Sequence, residues 1–155
     1  MYDVPSESLA VLRATPDILS RLLAGLGTPR AAELRGGDED WSILEVVCHL
    51  RDAEERAIVR MRTLRDADDP RIAGYDQEAW ARERRYNDDD LGRALAAFVE
   101  FRRRHVAELE ALVPGAWERG GVHEEHGRVT IAGHTLHIAA HDVVHLAQIA
   151  RQHPA

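Results

Sequence analysis

Apolar positions spaced three and four apart run through most of the chain. Leu9, Leu12, Ile18, Leu19, Leu22, Leu23 and Leu26 form one stripe, which predicts a first amphipathic helix over Ser6–Leu26. Inside it, Thr15-Pro16-Asp17 reads as an internal restart: Thr15 caps, Pro16 takes the first helical position and Asp17 suits the positive end. Residues 28–40 hold Gly36-Gly37 and several acidic side chains, and read as a loop. The second long helix has the clearest start. Ser42 as N-cap and Glu45 three residues on make a capping box. Ile43, Val46, Val47, Leu50, Ala53, Ala57, Ile58, Met61 and Leu64 then carry the stripe to about Leu64 or Arg65. A loop at 66–73, a short helix over Asp76–Arg84 and a cap from Asn87–Asp90 lead into a third long helix, Leu91–Leu112, stopped by Pro114-Gly115. Residues 116–130 read as irregular, with Val122 and Val129 suited to a small hairpin. Thr130 caps the last helix, Ile131–Gln152. The pattern predicts an all-α protein with a single domain over residues 1–155. The expected form is an antiparallel four-helix bundle with longer connections between the second and third and between the third and fourth long helices.

The last helix spends one whole face on polar groups. At about 100° per residue, His134, His137, His141, His145 and Gln148 fall within an arc of about 80°. His141 and His145, four apart, can aim both rings at one point, which is how a helix offers two nitrogen ligands to a metal. A third ligand is needed. His49 lies on the buried side of the second helix, beside Val46, Leu50 and Ala53. Facing helices of a bundle bring inward side chains together, so His49, His141 and His145 are the candidate metal ligands. Three neutral imidazoles suit zinc, nickel or a similar divalent ion. His137 and His134 lie one and two turns toward the start of that helix, as outer partners or pocket lining. Gln148 could hold the His145 ring or a substrate. Asp52 and Glu45 could orient the free nitrogen of His49, although the capping box already accounts for Glu45. The pattern is H-D-V-V-H rather than H-E-x-x-H, so no helix glutamate is placed as a protease-type base. His123 and His126 sit in a polar turn and read as solvated, and Cys48 reads as a buried, inert thiol.

Bulk properties narrow the choice of partner. With 45% hydrophobic and 30% charged residues, 155 residues make an ordinary globular domain rather than a disordered chain. The net charge of −7 argues against nucleic acid, whose phosphates call for a basic surface. All twenty basic side chains are arginine, so lysine-based covalent chemistry has no residue to use. One cysteine excludes an internal disulfide and fits a reducing cytoplasm. Neither a signal peptide nor a membrane span is legible. A cytoplasmic protein with a small-molecule substrate, as a homodimer and without nucleic-acid or membrane partners, is the expectation.

Trp41-Ser42, Glu45, His49-Leu50, Asp52 and Glu54 in one helix, with His141-Asp142-x-x-His145-Leu-Ala-Gln148-Ile in the last, resemble the DinB-like superfamily. The resemblance covers nearly all of the chain. It implies a metal-binding four-helix bundle with a zinc- or nickel-type ion on His49, His141 and His145. It also implies one of two activities. Some relatives are thiol-dependent S-transferases or isomerases working with bacillithiol, mycothiol or glutathione; others are described as metal hydrolases. This sequence ends soon after the fourth long helix and lacks the extra C-terminal domain of the larger thiol-dependent members, which speaks against their isomerase chemistry. The expectation is a thiol-dependent S-transferase. A hydrolase using metal-activated water and a non-catalytic metal- or small-ligand-binding bundle are the alternatives.

Overall fold

In the computed structural model, which describes residues 3–153, four long helices form the bundle: α1 (Val4–Leu22), α3 (Ile43–Asp66), α5 (Leu91–Glu110) and α6 (Ile131–Gln152). Two short helices, α2 (Thr28–Glu33) and α4 (Gln77–Glu83), lie in the connections. Asp3, Asp76, Asp90 and Thr130 each accept from the backbone N–H three residues on, which fixes the starts of α1, α4, α5 and α6. Ser42 does the same for α3 within a complete capping box, the Glu45 carboxylate accepting from the Ser42 N–H at 2.8 Å. α2 lies in the stretch whose composition reads as loop; Pro29 in its first turn starts a helix of only six residues, too short to show a periodic stripe.

α1 packs on α5 and α6, and α3 packs on the same two helices, so α1 and α3 sit across the bundle from each other. α1 opposes α5: Arg13 reaches Glu110 while Thr28, just past α1, reaches Asp90. α3 opposes α6, with His49 against His141 and Ala57 against His134. α3 and α5 run the same way, Glu54 meeting Arg102 and Arg62 meeting Glu108. That parallel pair requires the chain to return the full length of the bundle, which is the task of residues 67–90. The long connection expected between the second and third long helices is this crossover; the antiparallel order expected from the sequence is corrected, because α3 and α5 are parallel neighbours.

The second long connection carries structure that the pattern indicated only in part. β2 (Gly120–His123) and β3 (Gly127–Thr130) form the anticipated hairpin, with Gly121 opposite Val129. A two-residue strand, β1 (Arg71–Ile72), adds to β2 in parallel and ties the two connections together. A Cβ on Gly121 would collide with the Pro70 carbonyl, so β2 can lie this close only as glycine.

The core has two apolar halves separated by a buried polar layer. Leu19, Leu44, Leu50, Phe98 and Ile149 belong to one half; Leu12, Met61, Leu109, Ile131 and Ile138 belong to the other. Between them, Arg102 is 1% exposed and donates to Glu54 at 2.8 Å, to both Asp142 oxygens and to the Leu12 carbonyl at 3.2 Å. Thr15 donates to Asp142 at 2.7 Å, and His105 Nδ1 lies 2.7 Å from Glu54. Every long helix contributes to the layer. It also explains why α1 does not restart at Pro16. Proline lacks the N–H that would bond the Leu12 carbonyl one turn back, and the Arg102 guanidinium bonds that carbonyl instead. Thr15 therefore sits inside a continuous helix, its one hydroxyl proton shared between Asp142 and the Val11 carbonyl, and caps no new helix.

Candidate metal centre

His49 sits two turns into α3, and the capping box that fixes the start of α3 therefore fixes its height in the bundle. His141 and His145 come from the facing part of the antiparallel α6. The three side chains offer ligand nitrogens that all lie within 4.8 Å of one another. His49 Nε2 and His141 Nε2 are 2.9 Å apart, and the ring centroids are 4.4–4.9 Å from one another. Such crowding of nitrogens is what bonds of about 2.0–2.1 Å to one ion require.

The surroundings keep these rings neutral, the form that binds metal. Burial, then the neighbouring His145, lowers His49 to about 3. Burial, then His145 and His49, lowers His141 to about 2. Burial lowers His145 as well, against an opposing hydrogen bond to Gln148. In that bond His145 Nδ1–H donates to Gln148 Oε1 at 2.9 Å, which leaves Nε2 as the ligand nitrogen. Trp41 lies against the His49 ring at 4.9 Å between centroids and closes the α3 side.

Asp52 is buried beside His49, but its carboxylate accepts from Arg51 Nε, Arg84 Nη1 and Tyr86 Oη, each at 2.7 Å. Among the described residues no hydrogen bond joins Asp52 or Glu45 to His49. Asp52 instead anchors the segment after α4, where Arg84 stacks on Trp80 at 3.8 Å. His137 lies one turn from His141, its ring centroid 6.3 Å away, and is open to solvent. His134 is sunk against α3 beside the Ala57 carbonyl. Both line a cavity next to the centre rather than joining its three nitrogens. Cys48 points away, its Sγ 3.7 Å from the Tyr86 carbonyl, and burial pushes its thiol up to about 12.

Sequence reasoning missed the Glu54–Arg102–Asp142 layer, although it left a signal. Glu54, Arg102 and Asp142 each fall on the apolar stripe of their own helix, where a charge must be paired. His123, read as solvated, is 6% exposed, because the β2–β3 turn folds it inward and stacks it on His126 at 4.6 Å.

The sequence profile of the DinB superfamily matches residues 11–149. The chain belongs to the DinB superfamily. Two curated relatives of this DinB chain carry similar names. "Putative metal-dependent hydrolase YfiT" of Bacillus subtilis (strain 168) is 24% identical over 119 residues, 74% of this chain and 67% of that protein. "Putative metal-dependent hydrolase OB0782" of Oceanobacillus iheyensis is 29% identical over 109 residues, 70% of this chain and 63% of that protein. The match thus spans about two thirds of each relative's length. A solved structure of YfiT from Bacillus subtilis, described as "a probable metal-dependent hydrolase with an unusual four-helix bundle topology", superposes with a TM-score of 0.81 at 22% identity. It covers 97% of this chain and 89% of that one. The all-α four-helix bundle expected from the pattern is the fold of this DinB chain. None of its described helices is long and apolar enough to cross a membrane.

Proposed function

We propose that the chain is a metal-dependent hydrolase of a small molecule, with His49, His141 and His145 holding one divalent ion, zinc or nickel. One observation carries the reading: three neutral imidazoles, His49 buried and His141 and His145 half-buried, converge with no carboxylate among them. Neutral ligands leave the full charge of the ion in place, and such an ion lowers the pKa of a coordinated water to near 7. The residues of the chain hold and shield. Gln148 fixes the His145 ring, burial keeps protons off His49 and His141, and Trp41 excludes water from one side. The names of both curated relatives support hydrolysis.

S-transfer to a low-molecular-weight thiol such as bacillithiol or mycothiol is the second reading. The nearby carboxylates favour it, because all are occupied: Asp52 by two arginines and a tyrosine, Glu54 and Asp142 by Arg102, and Glu45 by the helix start. A thiol bound as thiolate asks for no protein base. Cobalt-substituted protein decides between them. Under the hydrolase reading, acetate or phosphate changes the cobalt spectrum, no added thiol produces a sulfur-to-metal charge-transfer band, and ester or amide substrates turn over. A thiol-induced band together with transfer to a chloroaromatic or epoxide reverses the order. A spectrum that no ligand changes leaves the third reading, a non-catalytic binding bundle.

A further inference from the structure

Toward the start of α6 lies a cavity of about 360 Å³ lined by Arg60, Ile72, His123, Val129, His134 and His137. His137 borders both this cavity and the metal centre, its ring 6.3 Å from that of His141. Arg60 lies on the same face of α3 as His49, three turns further on, because eleven residues at about 100° each return to within about 20° of the start. The cavity and the metal centre therefore lie along one face of α3, with His137 between them.

Arg60 is the cation of the cavity. Its Nη2 donates to the Ala73 carbonyl at 2.7 Å, its Nε is buried without a partner, and among the described residues it forms no salt bridge. Arg56 on the preceding turn adds to the positive field; Tyr75 and Glu125 oppose it. Arg128 at the rim is held by Asp69. His134 supplies the second element. The Ala57 carbonyl faces it, its Nε2 is buried with no partner, and burial followed by the charge of Arg60 lowers it to about 3. The ring is thus a neutral part of the cavity wall. The third element is the first turn of α6, capped by Thr130, whose positive end borders the same space. His123, Glu125 and His126 also bring donor atoms within 4.8 Å of one another, but Arg60 presses its positive charge on His123, which makes the cavity unfavourable for a second cation.

We propose that this cavity binds the carboxylate of the substrate, with Arg60 as its counter-ion. The proposal rests on the metal-centre reading above, since it takes the reactive bond to lie at the metal centre, past His137. One guanidinium matches one single-charged, two-oxygen group. Ile72 and Val129 suit the carbon skeleton that connects it.

Direct binding tests this without turnover. Phenylacetate and neutral phenylacetamide are titrated by calorimetry, and the histidine ring signals are followed by NMR. Phenylacetate is expected to bind and to shift the His134 and His137 signals, phenylacetamide to bind far more weakly, and Arg60→Gln to weaken phenylacetate at least about tenfold, with Arg60→Lys between the two. His49→Ala, which empties the metal centre, should keep phenylacetate affinity within about threefold, so the subsite stands even where the metal reading fails. Unchanged phenylacetate binding in a folded Arg60→Gln protein overturns the proposal. So does equal binding of the amide, or carboxylate binding that disappears in His49→Ala and ignores Arg60, since that carboxylate would be a ligand of the ion.

Discussion

Replacing Arg102 by methionine should be among the most damaging single changes in the protein. The guanidinium is 1% exposed and bonds Glu54, both oxygens of Asp142 and the Leu12 carbonyl. Methionine fills much of the space but leaves two carboxylates, 1% exposed each, without their cation. Breaking a buried ion pair from one side costs about 3–5 kcal/mol. Glu54 gives an independent measure. Burial alone would raise it, yet the charge of Arg102 and the bonds from His105 and Arg102 hold it at about 2 instead of 4.5. That difference corresponds to roughly 3 kcal/mol at neutral pH. The sign follows from the depressed value: the contribution is present above pH 4.5 and is lost as pH falls from 4.5 toward 2. In the variant the carboxylates are uncompensated and take up protons in the folded state, so its stability should rise as pH falls from 7 toward 5. Urea unfolding followed by circular dichroism reads both effects. At pH 7 the midpoint should drop by roughly 2 M, and the gap to the parent should narrow at pH 5. Changing Glu54, Arg102 and Asp142 together to Leu, Met and Leu should recover most of the loss, because no buried charge remains. A cost below about 1 kcal/mol at pH 7, or a gap that ignores pH, would refute the account of the layer.

His49→Ala, His141→Ala and His145→Ala should each lose most bound metal while keeping the helical circular dichroism signal; full occupancy by elemental analysis removes that residue from the ligand set. Ser42→Ala should lower stability by about 1 kcal/mol through loss of the cap, and an unchanged denaturation midpoint would contradict the cap assignment. In metal-stripped protein, His49 and His134 are both held at about 3, so stability should fall as pH drops below 6.5, where the unfolded chain takes up protons and the folded one does not; a flat profile between pH 7 and 5 would show these rings are not buried in solution. A homodimer, if formed, has an apolar face available in Leu136, Val143 and Val144 of α6, 49–62% exposed, and light scattering of Val144→Glu against the parent tests it.

The long helices were legible because each pairs an apolar stripe with a capping residue, Ser42 and Thr130 most clearly. The converging histidines were legible for a similar reason: imidazoles at i and i+4 occupy positions that packing alone would fill with leucine or valine. Pro16 misled because its local chemistry marks a start, whereas the bond that replaces its missing N–H comes from Arg102, 86 positions away in the chain. The same separation hid the polar layer, whose members interrupt four different stripes and make sense only together. β1 escaped notice because two residues cannot display a period. Asp52 looked like a partner of His49 on one helix, but its carboxylate is taken by neighbouring Arg51 and by Arg84 and Tyr86 of the crossover.

The parallel run of α3 and α5 bears on the order in which the molecule can be made. His49 and His141 are 92 positions apart, and the chain must complete the crossover, all of α5 and the hairpin before α6 exists to meet α3. Until that last docking step, a lone imidazole on α3 gives an ion little to grip. On the metal-centre proposal, capture of the ion should follow the docking of α6 on α3. Its stabilisation should appear almost wholly as slower unfolding, with the refolding rate unchanged by added metal. A newly made chain would then acquire its ion as a latch, fastened only when every other part is in place.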